Sequence, residues 1–338
     1  MAPFTFISNI IDDPDPVIVY PFDGYANKSH IYAQARVLED EGIQHHEEDS
    51  VLKNIYNTYK RFATDEIHNA KVRVRCDEET FITYSDKEGY IYIDHEHNFT
   101  LKHQQNLWLP LTYELLVDDT VIHTVTASIL KPHPKVNFAV ISDIDDTLLE
   151  TGVTSFFKWR LLVNSVAKHS DKRKAFKNAA KLYQQLKKGP SGYGDNPMFY
   201  LSNSPWNLHE YIHSFLNRND FPKGPLLMRD FGLENKKKDH FTEENKYLKS
   251  KHLLTIYPET NFILVGDAGE LDTDIYLELA KEFPGRILAI YIRKVKKKKN
   301  NARVEAILTA QTDIEVLLFK ETKEALAHAR ERGFIEPL

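Results

Sequence analysis

Apolar and polar residues alternate with a period of two through much of residues 1–134, and then the rhythm changes. Segments 17–20, 31–38, 72–75, 81–84, 90–93, 107–117 and 121–130 are rich in β-branched and aromatic residues and bounded by turn formers, which predicts strands. Asp86-Lys87-Glu88-Gly89 lies between two alternating segments and predicts a hairpin. One helix interrupts the strands, with Leu52, Ile55, Tyr59 and Phe62 on one face behind Ser50 as N-cap. Short strands at this spacing predict a small, β-rich, sandwich-like domain. Lys131-Pro132-His133-Pro134 cannot continue a ladder, because proline has no N–H to donate, so the boundary between domains 1–134 and 135–338 is placed there.

Beyond that boundary the apolar runs become nearly continuous and alternate with helical patterns. Strands are predicted at 136–142, 198–202, 226–229, 262–266 and 287–292, the signature of a parallel α/β sheet. Right-handed crossovers then bring the C-terminal ends of these strands to one edge, where such sheets bind ligands. The first run ends abruptly in Asp143, Asp145 and Asp146. Crowded carboxylates repel one another and lose hydration, so they call for a cation or a reaction. A calcium loop fails, because its sixth position, counted from Asp143, is Leu148 and its twelfth is Thr154. The other strand ends offer Ser202-Asn203-Ser204 and Gly266-Asp267, with Asp272 beyond, and a helical segment carries Lys246. Phosphoryl transfer needs this inventory: a carboxylate nucleophile, a proton carrier, and positive charge for three phosphate oxygens. A hard divalent ion, Mg2+, suits the carboxylates, with Asp143 and Asp267 as ligands.

Composition narrows the class. A chain of 338 residues, 42% hydrophobic, is long enough for two ordinary cores. Its formal charge of −5 argues against a general nucleic-acid binder. Cys76 is the sole cysteine, which excludes an intrachain disulfide or a Cys-rich zinc site and fits a reducing compartment. The first residues carry no basic segment followed by an apolar core, and no apolar run nears the ~18 residues of a membrane span. The expectation is a cytoplasmic protein whose membrane contact is peripheral.

Asp143-Ile144-Asp145-Asp146-Thr147, Ser202 after an apolar strand, Lys246, and Gly266-Asp267 with Asp272 together resemble the four motifs of haloacid-dehalogenase-type aspartyl phosphatases. The flanking words are closer to one family. Thr151-Gly152-Val153-Thr154, Ser202-Asn203-Ser204-Pro205-Trp206-Asn207-Leu208, and Gly266-Asp267-Ala268-Gly269-Glu270 with Tyr276 resemble the actin-patch-associated phosphatidate phosphatases, distant kin of the lipins. The likeness spans about residues 136–330 and extends to Tyr20-Pro21-Phe22-Asp23-Gly24-Tyr25-Ala26-Asn27.

The resemblance implies a Rossmann-like, haloacid-dehalogenase-type sheet without a large cap, and a Mg2+-dependent hydrolysis of phosphatidate to diacylglycerol through an aspartyl-phosphate. Asp143 would be the nucleophile and Asp145 the general acid and then base. Thr147 would hold the turn, while Ser202, with Asn203, and Lys246 would bind the phosphate. Asp143, Asp267 and the backbone carbonyl of Asp145 would hold the metal, with Asp272 beside it or orienting Lys246. Ala268 departs from the family, which more often has serine there; this touches the tuning of the metal rather than its carboxylate.

Other features remain open at this level. Lys249 and Lys251 compete with Lys246, and Ser204 with Ser202. Residues 153–162 mix aromatics with basic residues, which suits either a rim dipping into a bilayer or a helix packing Phe157, Leu161 and Leu162 on the sheet. Lys236 to Lys238, and Lys294 with Lys296 to Lys299, are charge runs that suit solvent or acidic headgroups. His45-His46-Glu47-Glu48-Asp49 and Asp94-His95-Glu96-His97 read as exposed turns before they read as metal sites, although His95 and His97 share a strand face. A phosphatase for a soluble metabolite or phosphoprotein, and a non-enzymatic lipid- or protein-binding adaptor, are the rival functions.

Overall fold

The computed structural model describes residues 16–39, 67–97, 107–133, 135–144, 170–229, 241–269, 271–309 and 314–337. The predicted helix at 52–62, residues 145–169, the run Lys236 to Lys238 and the cluster His45 to Asp49 lie outside them. Two compact units emerge, one within Met1–Lys131 together with Asn207–Tyr211, the other within Pro132–Trp206 and Ile212–Leu338.

The first unit is β-rich. Its strands are β1 (Val17–Pro21), β2 (Gly24–Ala26), β3 (His30–Glu39), β4 (Lys71–Cys76), β5 (Glu79–Tyr84), β6 (Tyr90–Glu96), β7 (Leu107–Val117) and β8 (Thr120–Lys131). They form one hydrogen-bonded sheet in the order β1-β3-β2-β8-β7-β4-β5, with β6 paired to β3, which makes the unit β-rich as expected. β3 carries β6 along one edge and β1 and β2 in succession along the other. The β2–β8 pair is parallel, so the sheet is mixed. Alternation works as predicted in β4, where Val72, Val74 and Cys76 enter a core shared with Val19, Ile31, Ile91, Tyr113 and Ile129.

The hairpin expected at 86–89 is corrected. The turn exists: Gly89, with φ +77°, donates to Asp86 O at 3.1 Å, and Asp86 Oδ1 accepts from the Glu88 and Tyr90 amides. The flanking strands nevertheless pair elsewhere, β5 with β4 and β6 with β3. A true two-residue hairpin joins β7 to β8, where Asp118 and Asp119 both take positive φ, as a type I′ turn demands.

The second unit is α/β. It contains β9 (Ala139–Asp143), α1 (Ser170–Lys188), β10 (Met198–Pro205), α2 (His209–Arg218) from Ile212 on, β11 (Leu226–Arg229) and α3 (Phe241–Ile256). β12 (Phe262–Asp267), α4 (Asp272–Glu282), β13 (Ile287–Arg293), α5 (Lys298–Thr309), β14 (Val316–Phe319) and α6 (Thr322–Glu331) follow. Every strand pair is parallel, in the order β11-β10-β9-β12-β13-β14, which is the order of a Rossmann-type sheet. β9 and β12 are buried along their whole length, which is why they lack alternation. They lie side by side at the point where the strand order reverses, so the carboxyl ends of both open onto the topological switch point.

Candidate active site

Asp143 ends β9 and Asp267 ends β12, two adjacent strands at the switch point, and both side chains are fully buried. Asp272 opens α4, also fully buried, and Lys246 reaches in from α3 at 3% exposure. The Lys246 Nζ lies 3.0 Å from Asp143 Oδ1 and 3.0 Å from Asp272 Oδ1. Asp272 Oδ2 in turn accepts the Asp267 amide at 3.1 Å. Asp272 is therefore a bracket, holding the lysine with one oxygen and the Asp267 backbone with the other. Gly266 makes room for it: a Cβ there would stand 2.5 Å from Asp272 Oδ2.

The lysines that competed with Lys246 are engaged away from the acids. Lys249 donates to Met228 O, and Lys251 pairs with Glu282. Ser202 is buried on β10, one residue past the level of Asp143, because Leu201 is in register with Asp143. Its Oγ accepts the Ser204 amide at 3.0 Å, while Asn203 and Ser204 are half-buried. Asp145, Thr147 and the aromatic-basic stretch 153–162 lie outside the described residues.

Two supports had no role in the sequence reading, although Tyr276 stands in the family word. Ser142 Oγ donates to Asp143 O at 3.0 Å and shares a 2.8 Å hydrogen bond with the Tyr183 hydroxyl. Tyr276 donates to Val265 O at 3.0 Å. Burial raises both phenols, and for Tyr276 the charges of Asp272 and Asp143 add to it, so both stay protonated donors. Tyr183 gave no sequence signal beyond its place on the apolar face of α1, beside Leu182 and Leu186. Ala268, where the resemblance implied serine, is buried, and its amide donates to Arg293 O at 2.9 Å.

Carboxylate oxygens of Asp143, Asp267 and Asp272 lie within 4.8 Å of one another. Three carboxyl groups and the Lys246 ammonium meet at this buried site, an excess of acid over base among the described residues. All-oxygen donors with that excess fit a hard divalent cation and not a soft metal. His95 and His97 do not make a second such group among the described residues; both turn to Glu79 Oε2, at 3.6 and 2.9 Å.

No helix among the described residues is long and apolar enough to cross a membrane. Residues 138–294 match the family model described as phosphatidate phosphatase APP1, catalytic domain. The chain is 30% identical, over 66% of its own length and 36% of the relative's, to the phosphatidate phosphatase APP1 of Saccharomyces cerevisiae. It is 28% identical, over 72% of its length and 38% of the relative's, to an uncharacterized protein of Schizosaccharomyces pombe. The chain thus spans little more than a third of these curated relatives. Among solved structures, a carbohydrate acetylesterase from Xanthomonas citri is 11% identical, covers 91% of this chain and 72% of its own, and superposes with a TM-score of only 0.31, which informs neither fold nor function. The matched span holds Asp143, Ser202, Lys246, Asp267 and Asp272, and it is this span, residues 138–294, that belongs to the phosphatidate phosphatase APP1 catalytic-domain family.

Proposed function

We propose that the second unit is a Mg2+-dependent phosphatidate phosphatase with a haloacid-dehalogenase-type sheet, acting as a peripheral enzyme on a cytoplasmic membrane surface. The observation that carries this reading is the buried set of Asp143, Lys246, Asp267 and Asp272 at the switch point of a parallel sheet. The Asp143 carboxylate attacks phosphorus, the ester P–O bond breaks, and an acyl phosphate forms. Asp145 gives its proton to the leaving diacylglycerol oxygen and then takes one from water, which attacks phosphorus and releases inorganic phosphate with Asp143 restored. Lys246, already against Asp143, offsets charge on the phosphoryl oxygens, and Ser202 offers a hydroxyl to one of them. Asp143 and Asp267, with the Asp145 carbonyl, would hold magnesium, which supplies positive charge to the same oxygens. Asp272 acts by position, because its oxygens hold Lys246 and the Asp267 amide.

The test is phosphate release from phosphatidate in mixed micelles and from water-soluble esters, with Mg2+ or with chelator. The reading expects turnover on phosphatidate that chelation abolishes and Mg2+ restores. Turnover confined to soluble esters would move the substrate to a metabolite, and phosphate release untouched by chelation would remove the metal.

A further inference from the structure

We propose that the lysine run following β13 is a docking surface for anionic lipid headgroups, which holds the reaction edge of the sheet against a membrane; this deepens the lipid reading of the site and rests on it. Lys296 to Lys299 are exposed and contiguous in a chain whose net charge is −5. They begin three residues after Arg293, which is in register with Asp267, so they leave the sheet on the edge where the acids end.

The run is a built loop. Asn300 Nδ2 donates to Gly269 O at 3.1 Å, and the Gly269 amide donates to Asp267 Oδ1, so one short path links the lysines to a metal-ligand candidate. Asn301 staples the base of the loop, donating to Val295 O at 2.7 Å and accepting the Val295 amide at 2.9 Å. The Lys294 amide is anchored to Phe319 O at 2.7 Å.

Charge bookkeeping around the loop points outward. Glu305 is taken by Lys294 and Asp274 by Arg303, each at 2.8 Å. Lys297, Lys298 and Lys299 make no ion pair among the described residues. Lys298 and Lys299 also open α5, whose first turn holds no acid, so two cations face the positive end of a helix dipole. That placement opposes helix stability and is compensated by an anionic partner. Compact, hydrated ammonium groups suit a diffuse headgroup layer better than a bidentate site. The segment Lys294 to Arg303 has no aromatic residue on which a base would stack, which disfavours single-stranded nucleic acid.

The experiment is vesicle sedimentation of the full chain without phosphatidate, so the outcome does not depend on turnover. Phosphatidylcholine vesicles with about one-quarter phosphatidylserine are compared with pure phosphatidylcholine, for the parent and for Lys297→Gln/Lys298→Gln/Lys299→Gln. The proposal expects salt-sensitive binding of the parent to the anionic vesicles and about a 100-fold fall in the triple variant. Triple Lys→Arg should retain binding, and the Gln variant should hydrolyse a soluble ester at the parent rate. Equal partition of parent and Gln variant, no parent binding to anionic vesicles, a matching loss on the soluble ester, or lysine-dependent binding that is tighter to single-stranded RNA would each overturn it. A chain that docks but leaves phosphatidate intact refutes the proposed reaction and not the surface.

Discussion

The two units each bury acids beside cations, with opposite arithmetic. In the first unit Glu114, its side chain 8% exposed, takes Arg73 at 3.1 Å and Arg75 at 2.6 Å, whose side chains are 33% and 51% exposed. Arg73 is its cross-strand neighbour and Arg75 its diagonal one, so a single ladder, β4 on β7, makes the cluster. One acid is matched by two solvated cations. In the second unit three fully buried acids meet one buried lysine, which pairs with Asp143 and Asp272, and β9, β12, α3 and α4 all contribute. A structural ion cluster balances its acid locally; the second gathers more acid than base at the switch point, an arrangement suited to taking up a cation.

The strongest way to break this contrast is Asp143→Asn. It should lower phosphate release by about 1,000-fold or more with circular dichroism unchanged, because the nucleophile is lost and the shape kept. Lys246→Met should cost about 100-fold in turnover, read from kcat, through loss of the cation facing Asp143. Gly266→Ala should cost about 10- to 100-fold, because its Cβ displaces Asp272 and with it the seat of Lys246. In the first unit Glu114→Gln should leave turnover within about twofold and reduce unfolding free energy by about 1–3 kcal/mol in a urea titration.

The smallest effect lies in a third cluster, inside the second unit, in which one acid is again matched by its neighbours. Glu315 takes His328 at 2.7 Å and Arg332 at 2.9 Å, and these partners, His328 first, hold its carboxyl below the ordinary value of 4.5. A depressed folded-state pKa gives stability that is present above about pH 4.5 and is lost as pH falls through the folded value. Glu315→Gln should flatten acid unfolding in that window and leave turnover near neutral pH unchanged. A drop in neutral turnover would show that such structural clusters also serve the reaction.

What the sequence disclosed depended on how local the cause was. Asp143 and Asp267 stood out because an unbroken apolar run ending in an acid needs no partner to be read. Turn chemistry at 86–89 was legible for the same reason, but the partners of β5 and β6 are set by distant strands, and the hairpin reading failed there. β2 and β14 escaped notice because three or four residues carry too little pattern, and the run before Phe319 reads equally as a helix start. Lys246 was separated from Lys249 and Lys251 by a family word and not by periodicity, since its partners lie 26 and 103 residues away in sequence. The Ser142–Tyr183 support was hidden because a core tyrosine on a helix looks like packing until its hydroxyl is placed.

The most direct measurement of the central claim is covalent trapping at Asp143. Full-length protein turning over phosphatidate with Mg2+ is acid-quenched, digested and analysed by mass spectrometry. The account predicts a hydroxylamine-sensitive phosphate on the peptide carrying Asp143, absent from Asp143→Asn. A phosphate carried by another residue, or steady turnover with Asp143 never modified, would contradict it.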